Sequence, residues 1–115
     1  MDKLIVIIPA FNEEKSVGNV LKNINTVLNK SIFKKKFRII LINDGSTDNT
    51  HRVAKNDGNT DIVSHKINKG LGAAVKTGLN ICKKLNAKYV VKIDADGQHN
   101  ASDILNLVKP LVDDK

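Results

Sequence analysis

Apolar and polar residues follow one another along the chain in blocks. Three blocks are nearly continuous in apolar residues, many of them β-branched, and a fourth is shorter; this is typical of strands buried on both faces of a parallel sheet. The four predicted strands cover residues 4–8, 37–42, 61–65 and 90–93. Pro9 is expected to stop the first of them.

Between these strands, apolar residues recur at the i, i+3, i+4, i+7 spacing of an amphipathic helix. Either Asn12 or Ser16 is the expected N-cap of the first helix, and Ser46 or Thr47 that of a short second helix ending near Asn56. The predicted apolar faces of the first, third and fourth helices consist in turn of Val17, Val20, Leu21, Ile24, Val27 and Leu28, of Leu71, Ala74, Val75, Gly78, Cys82 and Leu85, and of Ile104, Leu107, Val108 and Leu111.

The resulting order, β-α-β-α-β-α-β-α, predicts an α/β fold: a parallel sheet with right-handed crossovers and helices on both faces. A glycine inside a helix costs about 1 kcal/mol relative to alanine, so we expect close packing at Gly78. Pro110 is expected to kink or end the fourth helix. With 115 residues and no internal repeat, linker or low-complexity tract, the chain is expected to form one domain, residues 1–115.

Composition and charge narrow the class of protein. Aromatic residues make up 3% of the chain, and the formal net charge is +7. Much of the positive charge lies between the first helix and the second strand, in Lys30, Lys34, Lys35, Lys36 and Arg38. We expect a solvated loop there rather than a membrane-facing patch. No aromatic side chains interleave with these lysines to stack on bases, so nucleic acid is not an expected partner.

Cys82 is the only cysteine, which excludes an internal disulfide and a zinc site built from several cysteines. It lies on an apolar face, so we expect a core residue rather than a reactive thiol. No apolar run approaches the roughly 20 residues that span a bilayer, and the first residues lack the layout of a signal peptide. These observations favour a cytoplasmic protein.

Acidic residues follow three of the four predicted strands. Glu13 comes after the first strand, Asp44 after the second, and Asp94 and Asp96 after the fourth. Because the carboxyl ends of parallel strands share one edge of a sheet, these four carboxylates are expected to converge there. Two carboxylates 4 Å apart repel each other by about 4 kcal/mol at a protein-surface dielectric, so the cluster needs a positive partner.

A divalent cation would supply that positive charge. Magnesium takes one or two carboxylates and completes its shell with water and phosphate oxygens. The sequence therefore predicts a metal and diphosphate site at Asp94 and Asp96, with a plain polar turn as the alternative. If the diphosphate of a nucleotide binds at this site, Glu13 or Asp44 is expected to accept hydrogen bonds from ribose hydroxyls or base amino groups, and Phe11 to pack against the base.

Several other polar residues allow two interpretations. Asp48 is either a helix-terminal carboxylate or a ligand to the same site. His51 and His65 are expected to be structural or surface residues. His99 lies beside the predicted metal site, where it has either a turn role or a catalytic one.

Four motifs stand after the predicted strands. They are Pro9-Ala10-Phe11-Asn12-Glu13-Glu14, Asn43-Asp44-Gly45-Ser46-Thr47-Asp48, Asn68-Lys69-Gly70-Leu71-Gly72 and Asp94-Ala95-Asp96-Gly97-Gln98-His99. In this order, and over nearly the whole chain, they resemble the nucleotide-diphospho-sugar domain of family 2 glycosyltransferases. The resemblance is closest to the dolichyl- or polyprenyl-phosphate sugar synthase branch. Each motif alone is weakly specific, whereas the four in sequence are strongly so.

The resemblance implies a GT-A fold that binds a UDP- or GDP-sugar with Mg²⁺ or Mn²⁺ and transfers the sugar, with inversion, to a lipid phosphate such as polyprenyl phosphate or to a glycan. It assigns Asp94 and Asp96 to the metal. The nucleotide contacts that it implies are Pro9, Phe11, Glu13, Ile42, Asp44, Lys69, Gly70, Ala95 and Gln98. It also implies that any membrane contact is peripheral, at the cytoplasmic face, through other parts of a full-length protein.

Two residues depart from the family pattern: Phe11 replaces a frequent Tyr, and Asn43 a frequent Asp. The family's acceptor-binding half and catalytic base lie beyond the Asp-x-Asp strand. This chain is therefore expected to be the donor-binding half of a longer enzyme, inactive alone, with the base beyond residue 115. The alternative is an isolated module that binds nucleotide-sugar without transferring it. A receiver-like signalling domain phosphorylated at Asp44 would need a late strand with a lysine, which the pattern lacks.

Overall fold

A computed structural model describes residues 3–98 and 100–106 of the protein. The described chain forms, in order, β1 (Leu4–Ala10), α1 (Val17–Asn29), β2 (Phe37–Asp44), α2 (Thr50–Asn56), β3 (Thr60–His65), α3 (Leu71–Lys84) and β4 (Tyr89–Lys92). A further helical turn covers residues 103–106, which confirms the predicted order of elements up to that point. The rest of the predicted fourth helix lies outside the described residues, with Leu107, Val108, Pro110 and Leu111. Within the described ranges, no helix is both long and apolar enough to span a bilayer.

The four strands form one parallel sheet in the order β3-β2-β1-β4. α1 and α2 pack on one face of the sheet and α3 on the other, so the predicted α/β fold with helices on both faces is confirmed. The chain proceeds outwards from β1 to β2 and β3, and then returns to place β4 on the other side of β1. In open α/β sheets, ligands bind beside the carboxyl ends of the strands where the order reverses in this way.

β1 is buried along its whole length. Leu4, Val6 and Ile8 point into the apolar cluster beneath α1 and α2, whereas Ile5 and Ile7 point into the cluster beneath α3. Burial of each such side chain contributes roughly 1.5–3 kcal/mol before the cost in conformational entropy. The two apolar layers therefore share this strand, and their packing fixes where its carboxyl end lies.

Pro9 does not stop β1, because the strand continues past it and pairs Pro9 with Ile42 of β2. On the other side of the strand, the carbonyl of Ile7 accepts a hydrogen bond from the Ile93 N–H, at 3.0 Å, just beyond the end of β4. The backbone N–H and C=O groups of alternate residues in a strand face the same neighbouring strand. The nitrogen of Pro9 therefore lies on the same side as the carbonyl of Ile7, past the end of β4, and its missing N–H breaks no ladder hydrogen bond. β2 likewise extends beyond its predicted end, to Asp44.

The N-terminus of α1 confirms the position of one predicted cap, Ser16, but not a capping hydrogen bond. Ser16 occupies the N-cap position, but its side chain makes no capping hydrogen bond. Its hydroxyl donates instead to the carbonyl of Ala95, at 2.6 Å, in the loop after β4. Asn12 has a φ of 52°, and its side-chain oxygen accepts a hydrogen bond from the Thr47 N–H in the turn after β2. Ser16 is therefore the N-cap by position, while the side chains of both residues connect loops.

α2 ends at Asn56 as predicted, but neither Ser46 nor Thr47 caps it. Instead, the Asp48 carboxylate accepts a hydrogen bond from the Thr50 N–H, at 2.9 Å. This contact satisfies one of the free N–H groups of the first turn and places negative charge at the positive end of the helix. Of the two interpretations of Asp48, the helix-terminal carboxylate is therefore confirmed.

α3 meets the sheet through a narrower face than its periodicity predicts. Ala74, Gly78 and Cys82 are buried, whereas Leu71 and Leu85 are 59% and 37% exposed. A Cβ at residue 78 would lie 3.2 Å from the side chain of Ile7, which confirms the close packing expected there. Burial raises the pKa of the Cys82 thiol, in agreement with the predicted core role.

The basic segment between α1 and β2 lies at the opposite edge of the sheet from the strand carboxyl ends. Its lysines are exposed, as predicted, at positions 30, 34, 35 and 36. Phe33 within the same segment is buried, and its ring meets that of Tyr89 edge to face, with centroids 6.2 Å apart. One aromatic side chain thus anchors the segment in the core while the lysines face solvent.

Candidate functional site

A cavity of about 570 Å³ opens at the carboxyl edge of the sheet, beside the ends of β1 and β4. The predicted site residues that the structure brings together around it are Pro9, Phe11, Glu13, Asp44, Gly70, Asp94, Ala95 and Asp96. These include the four carboxylates expected to converge from three strand ends. The convergence is therefore confirmed.

Three of the residues predicted to contact nucleotide do not line this cavity. Ile42 has no exposed surface and packs in the cluster beneath α3, so its side chain offers nothing to a ligand. Lys69 is exposed, and it brings to the site a backbone N–H that donates to Asp44, at 2.9 Å. Gln98 lines a separate cavity of about 520 Å³ beside α1. His99 lies outside the described residues.

The acidic loop after β4 is shaped by short-range contacts. Asp96 accepts a hydrogen bond from the Gln98 N–H, at 3.0 Å, with Gly97 between them at a φ of 81°. Asp94 is half-buried and pairs with the ammonium group of Lys92, at 3.0 Å. Partly exposed pairs of this kind contribute little to stability, although the lysine offsets part of the repulsion between the two carboxylates. The loop thus presents two carboxylates on the cavity wall.

These two carboxylates fit a divalent cation that a ligand completes. Within residues 3–98 and 100–106, no three side chains of His, Cys, Asp or Glu gather into a metal site formed by the protein alone. One or two carboxylates are the donor set that Mg²⁺ uses when substrate phosphates and water supply the remaining positions. Asp94 and Asp96 are therefore the residues that could hold such an ion together with a diphosphate.

The β1–α1 loop is fixed against the β2–α2 turn by long-range hydrogen bonds. The N–H of Asn12 donates to the hydroxyl of Ser46, at 3.0 Å, and the Asn12 side-chain oxygen accepts from the Thr47 N–H, at 2.8 Å. The N–H of Glu13 donates to the hydroxyl of Thr50, at 2.8 Å, and Thr50 has no exposed surface. These contacts hold the backbone of Glu13 at a defined place on the cavity wall.

Asp44 is almost enclosed, with 3% of its surface exposed. Its Oδ1 accepts hydrogen bonds from His65 Nδ1, at 2.8 Å, and from the Lys69 N–H, at 2.9 Å. Its Oδ2 accepts from the backbone N–H of Gly70, at 2.9 Å, and from the side-chain amide of Asn68, at 3.2 Å. A carboxylate has about four acceptor positions, so the chain itself fills them. Asp44 therefore organises the β3–α3 loop, and the predicted structural role of His65 is confirmed.

These donors decide the charge state of Asp44. Burial alone would raise the pKa of its carboxyl group, because a charge is costly away from water. The hydrogen bonds from His65, Lys69 and Gly70 outweigh burial and hold the pKa below its ordinary value. Asp44 is therefore an anion at neutral pH, and four donors point at it.

Asp44→Asn is expected to destabilise the protein by about 1.5–3 kcal/mol at pH 7, since an amide cannot accept from all four donors. A carboxyl group whose pKa is lowered by folding stabilises the protein above its unfolded-state pKa, and this stabilisation is lost as the pH falls through the folded value. The difference between the two proteins should therefore narrow below about pH 4. Urea unfolding at neutral and acidic pH measures the difference in unfolding free energy between the two proteins. A difference that is the same at both pH values would contradict this account.

Several residues that shape the cavity were not among the predicted contacts. Four of them line it: Ala10, Asn68, Leu71 and Ala74. All but Ala74 belong to the motifs that follow the strands, so their position was a usable signal. Ser16 and Thr50 act through hydrogen bonds that span 79 and 37 positions of the chain. No local pattern indicates such contacts.

Comparisons of this chain with known proteins agree on one family. The sequence matches the model of Glycosyl transferase family 2 over residues 5–115. It is 40% identical to an uncharacterized protein of Methanocaldococcus jannaschii, over 96% of this chain and 42% of the relative. It is 37% identical to UDP-N-acetylglucosamine–dolichyl-phosphate N-acetylglucosaminyltransferase of Methanococcus voltae, over 98% of this chain and 49% of the relative. The chain thus spans less than half the length of these curated relatives.

Solved structures give the same fold. The chain aligns with glucosyl-3-phosphoglycerate synthase from Mycobacterium tuberculosis with a TM-score of 0.76 and 28% sequence identity, over 96% of this chain and 39% of that one. That crystal structure contains Mn²⁺, UDP and phosphoglyceric acid. The GT-A fold implied by the four motifs is therefore confirmed.

Proposed function

Because the chain belongs to glycosyl transferase family 2, we propose that its cavity binds a nucleotide-diphospho-sugar, as the donor site of a metal-dependent, inverting glycosyltransferase. The observation that carries this proposal is the convergence of Glu13, Asp44, Asp94 and Asp96 on one cavity, together with Phe11. The volume of about 570 Å³ suits a ligand of that size. The UDP and Mn²⁺ in the M. tuberculosis structure support the same class of ligand.

The nucleotide is proposed to lie against the ends of β1 and β2. Phe11 is 46% exposed, and a base stacked on its ring would cover that apolar surface. The Glu13 carboxylate would accept hydrogen bonds from the ribose hydroxyls. Since the acceptor positions of Asp44 are filled, a base N–H that reaches it would take the place of the Asn68 amide, whose hydrogen bond to Oδ2 is the longest of the four at 3.2 Å. Pro9 and Gly70 would form the adjoining walls.

The diphosphate is proposed to lie at Asp94 and Asp96, which would hold Mg²⁺ or Mn²⁺ against it. Such an ion supplies Lewis-acid stabilisation to a departing diphosphate. The contribution of the chain is placement: Ser16 holds the Ala95 carbonyl at 2.6 Å, and the Gln98 N–H holds Asp96 at 3.0 Å. Asp96 and the loop backbone are thus held in place before a ligand arrives, and preorganised charge costs no rearrangement during the reaction.

The acceptor is proposed to be a lipid phosphate. The M. voltae relative carries dolichyl phosphate in its name, beside UDP-N-acetylglucosamine. In direct displacement, the acceptor oxygen bonds the anomeric carbon as the bond to the diphosphate breaks, which inverts the configuration. A phosphate acceptor is already anionic and needs no strong general base. Among the described residues we assign no base, and complete transfer is proposed for the whole protein.

Calorimetric titration of UDP and of GDP, each with and without Mn²⁺, tests the donor site. UDP is expected to bind, and to bind more tightly with the metal, because the M. voltae relative carries UDP-N-acetylglucosamine in its name and the M. tuberculosis crystal structure contains UDP and Mn²⁺. Failure of a folded protein to bind either nucleotide would contradict the proposal. A parallel assay of sugar transfer to polyprenyl phosphate distinguishes a complete transferase from a module that only binds the donor.

A further inference from the structure

Three side chains form a hydrogen-bonded chain behind the cavity. His65, the last residue of β3, places Nδ1 2.8 Å from Asp44 Oδ1 and Nε2 2.9 Å from the hydroxyl of Thr77 in α3. The side chains of His65 and Asp44 are 9% and 4% exposed. Neither His65 nor Thr77 lines the cavity, whereas Asp44, the third member of the chain, does.

The charge of Asp44 fixes the tautomer of His65. An ionised carboxylate only accepts hydrogen bonds, so Nδ1 of His65 must carry a proton. In the neutral imidazole, Nε2 is then an acceptor, and the Thr77 hydroxyl donates to it; in the charged form, Nε2 donates to the same oxygen. In both states the contact with Thr77 keeps the ring oriented with its Nδ1–H towards Asp44, while Asp44 decides the tautomer, since a hydroxyl can either donate or accept.

Asp44 passes this orientation on to the cavity wall. The same Oδ1 that accepts from His65 also accepts from the Lys69 N–H, and Oδ2 accepts from the Gly70 N–H, each at 2.9 Å. Gly70 has a φ of 97° and lines the cavity, next to Asn68. The position of this wall therefore depends on where the carboxylate is held.

We propose that His65 and Thr77 are positioning residues of the donor site. They fix the Asp44 carboxylate and, through it, the segment 68–70, of which Asn68 and Gly70 line the cavity. The positioning of Asp44 and of residues 68–70 is a property of the protein without ligand. Only its consequence for the donor rests on the proposed function.

Two substitutions separate the roles of the two ring nitrogens. The amide nitrogen of Asn stands as far along the side chain as Nδ1, and that of Gln as far as Nε2. His65→Asn is therefore expected to keep a donor towards Asp44, whereas His65→Gln loses it. Without nucleotide, hydrogen exchange at the Lys69 and Gly70 amides should quicken by about tenfold or more in His65→Gln and stay near the wild-type rate in His65→Asn.

Two results of that experiment would overturn the proposal. The first is unchanged exchange at both amides in a folded His65→Gln protein. The second is equal acceleration in both variants, because the packing of the ring, rather than its hydrogen bond to Asp44, would then be what matters.

Thr77→Val tests the far end of the chain. Loss of the hydroxyl removes the contact that orients the ring, so exchange at the backbone amide of Gly70 should quicken, whereas long-range ¹H–¹⁵N spectra should still show the Nδ1–H tautomer that Asp44 imposes. Thr26→Val is the matched control on α1, where the hydroxyl of Thr26 bonds the carbonyl of Lys22, at 2.9 Å, and it should change neither. Exchange at the Gly70 amide that stays at the wild-type rate in a folded Thr77→Val protein would overturn the role given to Thr77.

Calorimetry with UDP and Mn²⁺ connects the positioning to the donor site. The dissociation constant should rise by about tenfold in His65→Gln and much less in His65→Asn. If the wild-type protein binds neither UDP nor GDP, the proposed function fails, while the exchange rates still decide the positioning role. Equal UDP binding by wild type and His65→Gln, despite faster exchange, would overturn the link to the donor.

Discussion

Asp96→Asn is expected to remove the metal-dependent part of UDP binding and to leave the protein folded. Asp96 is exposed, and an asparagine oxygen can still accept the hydrogen bond from the Gln98 N–H, so the turn is preserved. The negative charge that attracts a divalent cation is lost. Removal of a residue that merely supports a metal ligand already costs roughly 10–100-fold in affinity. Loss of a ligand should therefore weaken Mn²⁺-dependent UDP binding by about a hundredfold or more.

Asp103→Asn provides the control for charge. Asp103 is exposed, begins the helical turn of residues 103–106 and does not line the cavity, so this variant should bind as the wild type does. Calorimetric titrations with and without Mn²⁺ compare the three proteins. Without metal, Asp96→Asn should bind UDP as well as the wild type or slightly better, since it repels the diphosphate less. If it weakens binding equally in both conditions, the proposed metal role of Asp96 is wrong.

The success of each fold prediction depended on the range of the interactions that decide it. The buried strands follow from continuous apolar runs, which are local. The effect of Pro9 depends on where β4 ends, and no pattern around Pro9 carries that information. Leu71 and Leu85 were expected on the buried face of α3, but the helix meets the sheet through small residues such as Gly78, which narrows the contact.

The same distinction applies to the site. Asp44, Asp94 and Asp96 could be placed at one edge of the sheet from strand direction alone, because they stand at or just after strand ends. Ile42 stands two residues before Asp44 in the same strand, yet it is enclosed in the cluster beneath α3. A structural role for His65 was expected, but its partner could not be predicted, since the contact with Asp44 joins residues 21 positions apart in two different strands.

Gly45→Ala is expected to destabilise the protein by roughly 2–5 kcal/mol, the sum of two costs. Gly45 has a φ of 71°, and the left-handed conformation costs other residues about 1–2 kcal/mol. A Cβ at this position would also overlap the backbone of Ile67 and Asn68, which cannot rotate away as a side chain can. Such overpacking adds about 1–3 kcal/mol. The total is a large part of the about 5–15 kcal/mol that holds a domain folded.

Gly58→Ala separates these two costs. Gly58 also has a left-handed φ, of 78°, but a Cβ there would meet nothing within 4 Å, so only the conformational cost of about 1–2 kcal/mol applies. Urea unfolding of both variants measures the difference. Because Asn68 belongs to the segment that Asp44 holds against the cavity, Gly45→Ala should also weaken UDP binding, and Gly58→Ala should not. Equal destabilisation by the two substitutions would mean that residues 67–68 move aside freely, which contradicts a rigid wall for the donor.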